Sequence, residues 1–213
     1  LTILKTGSVV FTPLDPKQVL DRETRAHYKF KVTARDLGGL QSTTDLLINV
    51  EDENDNPPVF QHGPLYVLLP EIAKPGSKVV EVRATDIDEG INSKIQYYIT
   101  GGGSGDIRID RITGEIFVVG SLKPGAVYFM NVSAVDGAGL SARTTVNVTI
   151  VDVNNHKPTF DSPTYSFTVM ESNYTNDKIK LGVLRARDED IGKNGLVEYA
   201  ISSNVAAGKV LRR

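Results

Sequence analysis

Acidic side chains in this sequence gather at a few places instead of spreading along it. Asp21, Glu23, Asp52, Asp55, Asp86, Asp88 and Asp136 fall where runs of alternating apolar and polar residues end, or where Pro- and Asn-rich stretches begin. The run Asp52-Glu53-Asn54-Asp55-Asn56 offers a dense row of side-chain and backbone oxygens. Asp86 and Asp88 are two residues apart, so in extended backbone they share a face. Two carboxylates about 4 Å apart repel by roughly 4 kcal/mol at an effective dielectric of about 20. A gathering of seven therefore calls for cations. Calcium suits such a set, because it takes roughly six to eight oxygen ligands from carboxylates, amides and backbone carbonyls.

Other chemistries fit less well. An EF-hand needs Gly at loop position six and Glu at position twelve; counted from Asp86 these are Ile91 and Tyr97, and counted from Asp52 they are Pro57 and Gly63. A glycosidase pair needs two isolated acids in a cleft, not a ligand-rich cluster. His27, His62 and His156 show no metal or triad spacing and read as surface residues. The run Gly101-Gly102-Gly103-Ser104-Gly105 lacks the ending of a phosphate loop and reads as a turn between strands. Neither an enzyme nor a small-molecule substrate is expected. A net charge of −2 argues against a nucleic-acid partner. No run of eighteen apolar residues is present. With no cysteine there are no disulfides or thiolate sites. Three glycosylation sequons, at Asn131, Asn147 and Asn173, lean towards a secreted or cell-surface protein.

The elements that carry these residues repeat. Tyr28, Phe30, Val32, Ala34 and Asp36 alternate as do Tyr128, Met130, Val132, Ala134 and Asp136, 100 residues on. DENDNPPVF from Asp52 recurs as DVNNHKPTF from Asp152, and ATDID at 84–88 recurs as ARDED at 186–190. Val146, Val148 and Ile150 face one way, and Asn147 and Thr149 the other. About seven such strands per roughly 100 residues predict tandem, all-β, Greek-key sandwiches of immunoglobulin-like size. The expected division is 1–58, the second half of one repeat; 59–157, a complete repeat; and 158–213, the first part of another. Half a sandwich is expected to leave its apolar face uncovered.

On these residues the chain resembles the cadherin superfamily, probed along its whole length by Leu20-Asp21-Arg22-Glu23, the Asp36 and Asp136 strand ends, DENDNPPVF, Pro70-Glu71, and ATDID followed by Asn92. The resemblance implies calcium at the joints between repeats. At the first joint the implied ligands are Asp21 and Glu23; Asp52, Asn54 and Asp55, with carbonyls of Glu53 and Asn56; and Asp86, Asp88 and Asp136, with the carbonyl of Asn92. Joints of this kind hold three calcium ions. Arg22 reads as a surface or packing residue, and Glu51, Glu81 and Glu89 as a solvated face.

The second joint departs from the pattern. Glu71, Asp152, Asn154, Asp188, Asp190 and Asn194 remain, but Leu122-Lys123-Pro124-Gly125 replaces the LDRE run and Asn155 the central aspartate. Fewer ions are expected there, centred on Asp188 and Asp190. Such joints resemble those of long, non-classical cadherins. The implied function is calcium-dependent cell–cell adhesion through other cadherin ectodomains, in a parent protein anchored in the membrane outside this stretch. The alternative is a heterophilic receptor or mechanical tether built from the same repeats.

Overall fold

Alternating side chains and Gly/Pro/Asn punctuation produce strands throughout, and no helix occurs among the described residues of the computed structural model, 1–13, 20–103, 105–171 and 179–201. The sequon at Asn173 and the residue Ser104 lie outside that set. In chain order the strands are β1 (Thr2–Ile3), β2 (Val9–Val10), β3 (His27–Arg35), β4 (Gln41–Asn49), β5 (Val59–Phe60), β6 (Leu65–Pro70), β7 (Lys78–Glu81) and β8 (Ala84–Thr85). There follow β9 (Gln96–Gly101), β10 (Ile107–Ile109), β11 (Glu115–Val118), β12 (Val127–Val135), β13 (Ser141–Val151), β14 (Thr159–Phe160) and β15 (Ala186–Arg187).

The middle stretch is a two-sheet sandwich. One sheet has the order β6-β13-β12-β9 and the other β10-β11-β7. β6 runs parallel to β13, while β12 is antiparallel to both β13 and β9. Met130, Val132, Val146, Val148 and Ile150 from the first sheet meet Ile107, Ile116 and Val118 from the second, all essentially inaccessible to solvent. The single apolar run KVVEVRAT forms two strands, because the chain breaks at Val82 and Arg83. Val82 remains buried there and donates its N–H to the carbonyl of Gly114. Gly114 has a φ of 73°, and a Cβ on it would stand 2.3 Å from the Val82 carbonyl oxygen, so this turn requires glycine.

The flanking stretches are thinner. β3 and β4 form a nine-pair antiparallel hairpin. Its Phe30 occupies the position of Met130 one repeat later, yet is 38% exposed where Met130 is 0%. Beyond residue 158, the described strands are the short pair β14–β15.

The short pairs position the joints. β5 pairs with β8 through Val59↔Thr85 and Phe60↔Ala84, which draws the preceding linker alongside the loop that begins at Asp86. β14 pairs with β15 in the same way, drawing residues 152–158 alongside the loop that begins at Asp188. Pro58 is buried beside the first of these pairs.

Met130→Ala is expected to lower stability by about 2–5 kcal/mol in denaturant unfolding, as for a fully buried large side chain. Phe30→Ala, at the matching but part-exposed position, is expected to cost less. Equal losses would contradict this assignment of the core.

Candidate metal centre

At the first joint the carboxyl groups of Glu23, Asp52 and Asp88 offer oxygens within 4.8 Å of one another. Each comes from a different segment: Glu23 from the turn before β3, Asp52 from the linker after β4, and Asp88 from the loop after β8. Polar contacts lock them in place. Asp52 Oδ2 accepts from the backbone N–H of Glu89 at 2.9 Å and from Asn92 Nδ2 at 2.9 Å. Asp88 accepts from Asn56 twice, from its backbone N–H at 3.3 Å and from its Nδ2 at 2.8 Å. Asp86 Oδ1 accepts from the backbone N–H of Asp88 at 2.9 Å. Asp136 Oδ1, just past β12, accepts from the N–H groups of Ala138, Gly139 and Leu140 at 2.6–3.0 Å.

These contacts leave oxygens over. Asn54 Oδ1, Asp86 Oδ2 and Asp136 Oδ2 are buried and receive no hydrogen bond. A buried polar atom without a partner is costly, and these three lie at the joint whose acidic groups could hold a metal ion. Burial pushes the Asp86 carboxyl above its ordinary range, and the nearby charges of Asp88, Asp136 and Asp52 push the same way against one backbone hydrogen bond. Burial also works to raise Asp136, but the N–H groups of Gly139 and Ala138 outweigh it and hold that carboxyl low. Asp52 is held low chiefly by the Glu89 N–H.

Not every expected ligand joins the cluster. Asp21 is exposed and accepts from Thr24 Oγ1 at 2.7 Å and from the Thr24 N–H at 3.1 Å. Asp55 is also exposed and accepts from Asn56 Nδ2 at 2.6 Å. Glu53 is exposed, and its carbonyl accepts the Asp55 N–H at 2.9 Å.

Arg22 is more than a packing residue. Its guanidinium pairs with Asp52, reaches Glu23 at 2.7 Å and Glu89 at 3.3 Å, and donates to the Ile87 carbonyl at 3.0 Å. One side chain thus ties three chain segments together and offsets part of their negative charge. Its place inside the LDRE run, between two acids, was the available signal.

The second joint reuses this scaffold. Asn194 Nδ2 donates to Asp152 Oδ2 at 2.8 Å, as Asn92 does to Asp52. Asp190 N–H donates to Asp188 Oδ1 at 2.9 Å, as Asp88 does to Asp86. Glu71, Asp152 and Asp190 bring oxygens within 4.8 Å of one another, while Asn154 lies exposed in the linker. Glu71 Oε1 also accepts from the Val153 N–H at 3.2 Å. His156 stands where Asn56 stands one repeat earlier: its N–H reaches Asp190 at 3.2 Å, and its Nδ1 lies 2.7 Å from Asp190 Oδ1. The hydrogen bond to Asp190 raises the His156 pKa. The 100-residue offset between Asn56 and His156 could have marked it.

Residues 66–151 match the family model of the cadherin domain. The chain belongs to the cadherin superfamily. It is 38% identical over 189 residues to the Fat-like cadherin-related tumor suppressor homolog of Drosophila melanogaster, covering 85% of this chain and 4% of that protein. It is 40% identical over 195 residues to mouse Cadherin-23, covering 85% and 6%. Among solved structures, the Protocadherin GammaB4 extracellular domain superposes with a TM-score of 0.66 at 34% identity, over 84% of this chain and 28% of that one. Mouse Cadherin-23 EC22-24 gives 0.64 at 27% identity, over 84% and 58%. The chain spans only 4–6% of the length of these two curated relatives. It is non-enzymatic, extracellular cadherin-repeat sequence of the long or non-classical kind.

Two outcomes follow from the charges. Asp86→Asn removes a buried carboxylate whose ionised form its neighbours oppose, so in chelator the variant is expected to melt higher than the parent. In calcium it is expected to melt lower, as the ligand role implied for Asp86 by the family resemblance requires; the same sign in both conditions would contradict the repulsion argument. For His156, a raised folded pKa means that its contribution is complete below the ordinary value of 6.5 and is lost as pH rises through the folded value. In chelator, its ring resonances are expected to titrate with a midpoint above 6.5 by NMR. Asp190→Asn should bring that midpoint down, and an unmoved midpoint would count against the pairing.

Proposed function

We propose that this chain is a calcium-stiffened stretch of a cell–cell adhesion ectodomain, with ions held at both joints. The observation that supports this reading is the set of buried oxygens at the first joint that no donor reaches, Asn54 Oδ1, Asp86 Oδ2 and Asp136 Oδ2. The division into repeats is 1–58, 59–157 and 158–213, with the linkers at the ends of β4 and β13.

At the first joint Glu23 and Asp21 serve from the upstream repeat. Asp52, Asn54 and Asp55 serve from the linker, with the carbonyls of Glu53 and Asn56. Asp86, Asp88, Asp136 and the carbonyl of Asn92 serve from the downstream repeat. When bound, calcium supplies positive charge that oxygens of two repeats and their linker share. The work of the chain itself is to hold those oxygens on facing segments. At the second joint Glu71, Asp152, Asn154, Asp188 and Asp190, with Asn194, hold fewer ions, because no acid replaces Glu23 and Asn155 stands where Asp55 stood. That joint bends more easily. The partners are other cadherin ectodomains, on the same or an opposing cell.

Calorimetry with calcium, alongside melting with and without chelator, tests this. Saturable binding with Kd values of about 10⁻³ M or tighter is expected, with a melting temperature that falls on chelation. Asp55→Ala should shrink that shift, and Asp52→Asn should remove more bound calcium than Asp152→Asn. No heat of binding and no shift on chelation would overturn the reading.

A further inference from the structure

The outer face of the β6-β13-β12-β9 sheet carries apolar side chains that nothing in the fold covers. Tyr66 is 78% exposed, Leu68 72%, Phe129 65% and Val127 44%. Registers place them together. Asn147 on β13 pairs with Tyr66 on one side and with Phe129 on the other. Thr149, two residues on, pairs with Leu68 and Val127. Side chains directly opposite on one face lie about 5 Å apart. Two exposed aromatic rings therefore flank one asparagine, with Leu68 and Val127 in the next row. Singly exposed apolar residues need no explanation, but a contiguous group does.

Asn147-Val148-Thr149 is a glycosylation sequon. Val148 faces the core, so Asn147 and Thr149 both face outward. We propose that an N-linked glycan on Asn147 lies over Tyr66, Phe129 and Leu68 and closes this apolar face. In the attachment step, Asn147 Nδ2 displaces a lipid pyrophosphate from C1 of a lipid-linked oligosaccharide. The new bond is C1–Nδ2, the broken bond is C1–O of the glycosyl phosphate, and the amide proton leaves with the transferase's base. The attached sugar presents C–H groups to the electron-rich faces of the rings, and its hydroxyls face water.

The other sequon on this face supplies a contrast. Asn131 on β12 is exposed and pairs with Thr145 on one side and Gly101 on the other, with no apolar side chain in its row. Its one exposed apolar neighbour on this face is Phe129, two residues back along β12, so a glycan there has less to cover.

The test uses the full ectodomain from a secretory host. Enzymatic deglycosylation in heavy-oxygen water followed by peptide mass spectrometry reads occupancy, and Asn147 is expected to be occupied. Asn147→Gln and Thr149→Ala each abolish the sequon by a different route. Both are expected to raise the fluorescence of an apolar-surface dye at least about twofold and to lower Tm by about 2–4 °C. Asn131→Gln, with only Phe129 beside it, should change both by less than half as much. Trimming to the first sugar should keep most of the protection, because that sugar is the one beside the rings. The difference should persist in chelator, so this proposal stands or falls separately from the calcium reading. An unoccupied Asn147 overturns it, as does an occupied one whose loss leaves the dye signal and Tm unchanged. A glycosylated protein that self-associates with Tyr66 and Phe129 protected from exchange also overturns it, because a second copy then covers this face.

Discussion

Repulsion between carboxylates that the backbone forces into proximity is the constraint on which the first joint is built. The β5–β8 pairing draws the linker against the loop after β8, and this brings Asp52 to Asp86 and Asp88. The end of β12 adds Asp136. Part of the resulting charge is absorbed internally. Asp136 receives three backbone N–H groups, and Asp52 receives a backbone N–H, an amide and the Arg22 guanidinium. Asp86 receives one, which is why burial and its neighbours drive it upward. The internal donors fix the geometry but do not exhaust the oxygens.

The two joints separate scaffold from charge. The asparagine-to-aspartate bonds, the turn between paired aspartates and the short strand ladder occur in both. What differs is the charge hung upon them. At the first joint Arg22 and Glu23 come in from the upstream segment. At the second, an imidazole takes the place of an amide against Asp190, and the run Leu122-Lys123-Pro124-Gly125 brings in neither an arginine nor an acid, leaving Glu71 as the upstream carboxylate. Joints can thus diverge in charge without losing their shape, because the contacts that hold the segments together do not depend on the variable residues.

The sandwich between the joints serves as their spacer. Its inner faces are closed by aliphatic side chains from both sheets, so the outer face of the four-stranded sheet is free to carry other features. Both described sequon asparagines, Asn131 and Asn147, sit on that outer face, in the central strands β12 and β13.

Strand alternation, the repeat offset and the acidic clusters depend on local spacing, and the sequence alone was enough to determine them. Val146, Val148 and Ile150 are buried as their period requires, and Asp86 and Asp88 stand just past a strand end. Two residues escaped that reading. Arg22 and His156 belong to the joints because of what lies opposite them across 30 or more residues; the LDRE run and the 100-residue offset mark their positions but not those partners. Burial was also decided by tertiary structure. Phe30 and Met130 occupy the same place in the same alternating run, yet one is part-exposed and the other sealed. The period of a strand sets which way a side chain points; only a second sheet packed across it removes that side chain from water.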